Sequence, residues 1–200
     1  MILRTVNWGG QGLTNYLYGK PQYMQYAGIR DYYTRLTKDS NSQPNLVNHL
    51  WHNILREYFL VREGFGLEIR PRVTKNDDVT IQHVKALRSD LLITRLVLAL
   101  DERVFESEPP ASAWSSGVSQ LTDCIKFART AASLETGPAQ AERIFGIATV
   151  GQYSRFYVLE PGDDVLSYYP AVGGKVLEFE ADESQIVELL LSIKAAALFA

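Results

Sequence analysis

From Val47 to Phe59 the apolar residues Val47, Leu50, Trp51, Ile54, Leu55, Tyr58 and Phe59 recur every three or four positions, which lays one stripe along a helix. Gly64 and Gly66 end that pattern. Beyond them, Leu67, Ile69 and Pro71 alternate with Glu68, Arg70 and Arg72, the period of a strand with one polar face; Pro71 puts it near a sheet edge or strand end. Residues 74–88 are polar and predict a loop. Asp90–Val104 is rich in branched apolar residues and reads either as two strands broken near Thr94-Arg95 or as one long bent strand. Pro109-Pro110 stops regular structure, and Ser112 is placed to cap a helix carrying Trp114, Val118, Leu121, Ile125 and Ala128 on one side. A loop over 130–142 precedes two apolar strands, Ile144–Val150 and Phe156–Glu160. Pro161-Gly162-Asp163-Asp164 marks a turn before a strand over Val165–Tyr169, and Gly173-Gly174 marks another. Asp182 and Gln185 open a last helix bearing Ile186, Leu189, Leu190 and Ile193. Helix, three strands, helix, two or three strands, helix: this order predicts an α/β fold with a mixed central sheet flanked by helices.

Residues 1–44 show no sustained period. Their glycines and tyrosines, followed by the polar run Lys38–Pro44, read as an N-terminal extension and linker, with packing of the tyrosine-rich arm on the 45–200 domain the expected arrangement. Composition narrows the function classes. In a chain of 200 residues, 46% hydrophobic and 22% charged residues describe an ordinary folded domain. A net charge of −3 argues against strong nonspecific nucleic-acid binding and leaves room for a local basic groove. The single cysteine, Cys124, excludes an internal disulfide framework and a cysteine zinc site. The start of the chain lacks an apolar signal core, and the run Leu91–Leu100 is broken by Thr94 and Arg95 and too short to span a bilayer. The expectation is a soluble intracellular protein, cytoplasmic or nuclear, with no membrane attachment.

The chemistry-bearing pattern is Ser89-Asp90 followed by Asp101-Glu102-Arg103. On a strand, Asp101 and Arg103 leave the same face. If the strand holding Asp90 pairs beside it, Asp90 and Asp101 converge, and two carboxylates at a sheet edge suit Mg²⁺. Such a metal generates a hydroxide nucleophile, and a cation on the same face stabilises developing negative charge. The plainer reading makes Asp101-Glu102 a hairpin turn with Arg103 opening the next strand. His49 and His52 have a spacing compatible with metal, but no further ligand accompanies them. The basic residues from Arg70 to Arg88 alternate with acids, as on a mixed solvated surface.

Together, the helix-and-strand order, the Asp90 and Asp101-Glu102-Arg103 positions, Glu106–Trp114 running into Gln120–Cys124, Ile147–Leu159 and the Gln185–Ile193 helix resemble the PD-(D/E)XK nuclease superfamily, in particular a lineage common in fungal genomes. The resemblance spans Leu46 to Lys194. It implies a restriction-endonuclease-like core in which Asp90 and Asp101 are catalytic metal carboxylates. The backbone carbonyl of Glu102 would be a further ligand, and Glu57 the extra acid found in many members. Arg103 stands at the catalytic lysine position and Gln120 at the helix glutamine, while Ser89 replaces a proline and Cys124 an aromatic residue. Asp101 is one methylene shorter than glutamate, and Arg103 stays protonated, so it cannot accept a proton from water. The short span from Asp90 to Asp101 hints at a deletion. A rival register, Glu106-Ser107-Glu108, has no cation. The resemblance with these departures implies a degenerate nuclease-like domain with weak or absent Mg²⁺-dependent phosphodiester hydrolysis, or alternatively an inactive binding module for a protein or nucleic-acid partner.

Overall fold

A computed structural model describes residues 22–38, 45–70, 79–88, 91–136 and 143–199. Four helices, α1 (Ala27–Lys38), α2 (Leu46–Tyr58), α3 (Ala111–Thr136) and α4 (Glu183–Phe199), pack against one mixed sheet. Its strands are β1 (Phe65–Arg70), β2 (Val79–Arg88), β3 (Leu91–Asp101), β4 (Ile144–Val150), β5 (Tyr153–Leu159), β6 (Ser167–Tyr168) and β7 (Leu177–Glu178). The sheet runs β1-β2-β3-β4-β5-β6, with β7 also paired to β5. Neighbours are antiparallel except β3 and β4, which are parallel because α3 carries the chain back across the sheet between them.

Strand alternation sorts the core into two layers. Leu96, Leu98 and Leu100 of β3, with Phe145, Ile147 and Phe156, face α2 and α4. Val97 and Ala99, with Ala148, Val150 and Tyr157, face Trp114, Leu121 and Ile125 of α3. The helices therefore cover both faces, as the element order led one to expect.

The predicted strand over Ile144–Val150 and the helix beginning near Val47 coincide with β4 and α2. Two local expectations give way, and a third is decided between its alternatives. Residues 79–88 form a ten-residue strand rather than a loop. Polar residues enter it because they find partners: Gln82 Nε2 donates to the Asn48 backbone carbonyl at 3.0 Å and to the Asn48 side-chain oxygen, and buried His83 lies 3.5 Å from the Thr94 hydroxyl. Of the two readings of Asp90–Val104, the single bent strand holds, over Leu91–Asp101; the pairing steps from Val84–Leu96 to Lys85–Thr94, so Arg95 is the extra residue of a bulge. Finally, α3 begins at Ala111, directly after Pro110, and runs 26 residues to Thr136, so Ser112 lies inside it and residues 130–136 of the expected loop are helical.

The described part of the expected N-terminal extension packs as part of the domain. Tyr23, Ile29 and Leu36 are buried in the α2/α4 core. The Tyr23 hydroxyl donates to the Phe179 carbonyl, the Tyr33 hydroxyl to Glu178 at 2.8 Å, and the Met24 amide to Glu183 at 2.6 Å. Burial holds the Tyr23 phenol above its ordinary range, so it stays a neutral donor. None of the described helices is long and apolar enough to cross a membrane.

The approach of α3 to the sheet is closest at Gly146, where an added Cβ would lie 3.0 Å from both Leu121 and Ile125 side-chain carbons. Replacing Gly146 with Val overpacks this contact and is expected to cost about 1–3 kcal/mol in urea unfolding, whereas a loss below a few tenths would show that α3 does not sit this close.

Candidate functional site

Asp101 ends the central strand β3, with its backbone paired to Val79 on one side and Val150 on the other. The Gly151 amide extends the pairing, donating to the Asp101 carbonyl at 3.0 Å. Gly151 has φ +57° in the β4–β5 turn, and a Cβ there would fall 2.7 Å from the Arg103 carbonyl oxygen. Only glycine allows that turn to press against the segment leaving β3. On its α3 face, Asp101 is 1% exposed.

Its charge is met by Arg103, two residues on and 45% exposed. Arg103 Nε donates to both Asp101 carboxylate oxygens at 3.0 Å, and Nη2 donates to Oδ2 at 2.5 Å. The Arg103 backbone amide adds a third donor and a fourth hydrogen bond, 2.9 Å from Oδ1. Arg103 Nη2 also donates to the Ala113 carbonyl at 2.7 Å, reaching the first turn of α3. The pair thus closes a fork typical of arginine and carboxylate and anchors it to a helix.

Glu102 leaves the opposite face and reaches α2. Its two carboxylate oxygens accept the amides of Val47 and Asn48, at 2.9 and 3.1 Å. These are donors that a helix start leaves without intrahelical acceptors, and a negative charge there also complements the helix dipole. The local residue at that position, Asn45, adopts φ +76° and makes no side-chain cap. A carboxylate 54 residues along the chain from Asn48 does the work of a local N-cap.

Two of the other expected site residues, Glu57 and Gln120, lie away from this point. Asp90 lies outside the described residues, as does Ser89. The register puts Leu91, the residue bonded to Asp90, opposite Arg88 at one end of β3, while Asp101 stands at the other. Ten residue steps of strand, about 33 Å, separate Leu91 from Asp101, so the pairing lends no support to a convergence of two carboxylates there. Glu57 sits in the last turn of α2, about 15 Å along the helix from Val47 and the Glu102 carboxylate. Its neighbour is Tyr26, whose phenol is held above its ordinary range by burial and by the Glu57 carboxylate. Gln120 is half-buried on α3 beside Leu121, which lies over Gly146. Gly146 pairs with Val97, about 13 Å back along β3 from Asp101. His49 stacks on Tyr32 at 5.6 Å, and burial lowers the pKa of His52. Among the described residues, no group of three His, Cys, Asp or Glu side chains is arranged to hold a metal ion.

Arg155 of β5 is a residue to which sequence reasoning gave no binding role. Its guanidinium lies 4.4 Å from the centroid of Trp114, one residue beyond the carbonyl that Arg103 holds. An arginine inside an otherwise apolar strand was the available signal. Compared with protein-family models, with curated proteins and with solved structures, the chain matches none of them.

Removing the Glu102 carboxylate by Glu102→Ala is expected to cost about 1 kcal/mol, the usual loss when a helix cap is deleted. Hydrogen exchange at the Val47 and Asn48 amides would accelerate relative to the middle of α2. Unchanged exchange at both amides would contradict the capping role.

Proposed function

We propose that this chain is a degenerate nuclease-like domain, related to the PD-(D/E)XK superfamily, that works as a binding module rather than as a phosphodiesterase. Support for the relationship is the order of elements: a helix, three antiparallel strands, a long crossover helix and a parallel fourth strand. The observation that carries the loss of activity is the state of Asp101, whose two carboxylate oxygens are both held by Arg103. Mg²⁺ binds through hard oxygens in a strict shell at about 2.0–2.1 Å, and here it would have to displace a guanidinium that also grips α3.

The rest of the donor set points the same way. Glu57, the expected extra acid, stands at the far end of α2 from the helix start that the Glu102 carboxylate holds, and so lies away from Asp101 and the Glu102 backbone carbonyl. These residues do not fit a resident Mg²⁺, and no catalytic step is assigned to them. Arg103, which the resemblance places as a transition-state cation, instead neutralises its own neighbour. The partner follows from charge: a net −3 with acids interleaved among bases favours a protein surface over duplex DNA, which recruits proteins through many basic contacts.

A nuclease assay tests this function. Purified protein is incubated with single- and double-stranded DNA and with RNA, in Mg²⁺ and in Mn²⁺, beside an Asp101→Asn variant whose fold is verified by circular dichroism. A binding module gives equal background cleavage by both proteins. Metal-dependent cleavage by the wild type that the folded variant lacks would overturn the proposal and restore a retained hydrolase.

A further inference from the structure

Between the first half of α3 and the far edge of the sheet lies an open groove of about 470 Å³. Trp114 and Val118 of α3 form one wall, Leu166 and Tyr168 the other, and Arg155 and Tyr157 of β5 line the space between. The far wall is fixed in place: Arg129 of α3 donates to the carbonyls of Leu159, Glu160 and Asp163, at 3.1, 2.7 and 2.5 Å, and holds the turn that leads into β6. Tyr168 is further packed between the Tyr157 ring, at 5.2 Å, and Gly174, where a Cβ would meet the Tyr168 ring at 3.0 Å.

Arg155 brings a positive charge into this groove, beside the Tyr157 hydroxyl with which it interacts. Several other cations are matched by carboxylates: Arg103 by Asp101, Arg143 by Glu160, Lys175 by Asp182 and Lys194 by Glu63. Arg155 forms no ion pair with any carboxylate of the described residues. One face of its guanidinium rests against Trp114, and its Nε is buried with no acceptor. A buried N–H without an acceptor costs free energy that an incoming acceptor recovers. Beside it, burial pushes the Tyr157 phenol up to about 12, so that hydroxyl remains a neutral donor at physiological pH.

We propose that this groove binds a small organic oxyanion, a carboxylate or a phosphate monoester carrying an apolar body. The guanidinium of Arg155 meets the charged group with the directed donors that suit such anions, and Val118 and Leu166 cover the apolar part. A volume of about 470 Å³ exceeds what a bare inorganic anion fills and falls within the usual range of small-molecule sites, about 300–1,000 Å³. Trp114 and Tyr157 are buried by their own neighbours, so recognition comes chiefly from charge and the apolar walls, with Tyr168 the one exposed ring of the groove. This inference is independent of the nuclease-like reading, since none of the catalytic or metal-binding candidates of that reading lines the groove.

The test uses NMR titration of the full chain with phenyl phosphate, benzoate, phenol and inorganic phosphate, following the backbone amides of residues 114–118 and 166–168. Saturable shifts at those amides are expected for phenyl phosphate or benzoate, and which of the two binds tighter identifies the anion. Phenol, inorganic phosphate and an Arg155→Gln variant should each weaken binding by about tenfold or more, the loss expected for a charged hydrogen bond or an apolar contact. A Leu166→Trp variant, which fills the groove while keeping Arg155, should abolish the shifts and serves alone if Arg155→Gln does not fold. Absence of saturation with both organic anions, undiminished affinity in either folded variant, or inorganic phosphate binding as tightly as phenyl phosphate would overturn the proposal.

Discussion

A carboxylate that is 1% exposed at the end of the central strand needs a partner, because a buried unpaired charge costs several kcal/mol and a buried pair is kept only with good geometry and further hydrogen bonds. Asp101 finds that partner two residues away. The same strand parity that sets Asp101 toward α3 brings Arg103 to that side, and the next donor on the guanidinium takes the carbonyl of Ala113. Glu102, between them, faces the other way and holds the first amides of α2. Three consecutive residues therefore tie the middle of the sheet to the helices on both faces. The start of α3 depends on this tie, and with it the place of Trp114, over which Arg155 lies.

Much of the fold was legible because long apolar segments announce themselves. β4 is buried along its whole length, and α2 carries its stripe on one side, so pattern alone located both. β2 was not legible, for a specific reason. Thr80, Gln82 and His83 are buried polar residues, and they break the alternation that marks a strand. What admits Gln82 is Asn48 on a helix 34 residues away, a contact that no window along the chain contains. The N-terminal segment was opaque in the same way, because Tyr23 and Tyr33 anchor it to Phe179 and Glu178, far along the chain.

The site was legible in its local half. Spacing placed Asp101 and Arg103 on one face, and they are on one face. Spacing is silent on whether two such side chains reach outward to a metal and a substrate or inward to each other, and here they meet. The expected partnership with Asp90, which lies outside the described residues, depends on register, and among the described residues Arg88 pairs with Leu91 at the end of β3 opposite Asp101. A motif two residues wide can thus persist in outline while its side chains serve packing. Arg155 drew no binding role from the sequence, because its place against Trp114 in an open groove is a property of the folded surface.

Whether Asp101 and Arg103 exist for each other is measured directly by a double-mutant cycle in urea unfolding, with Asp101→Asn, Arg103→Met and the double variant. Arg103→Met alone is predicted to lose about 2–3 kcal/mol, less than a fully enclosed pair because the guanidinium is 45% exposed, and the coupling is predicted to exceed about 1 kcal/mol. Additive single losses, together with a Mg²⁺-dependent rise in wild-type stability that Asp101→Asn removes, would contradict this pairing and return Asp101 to the service of a metal.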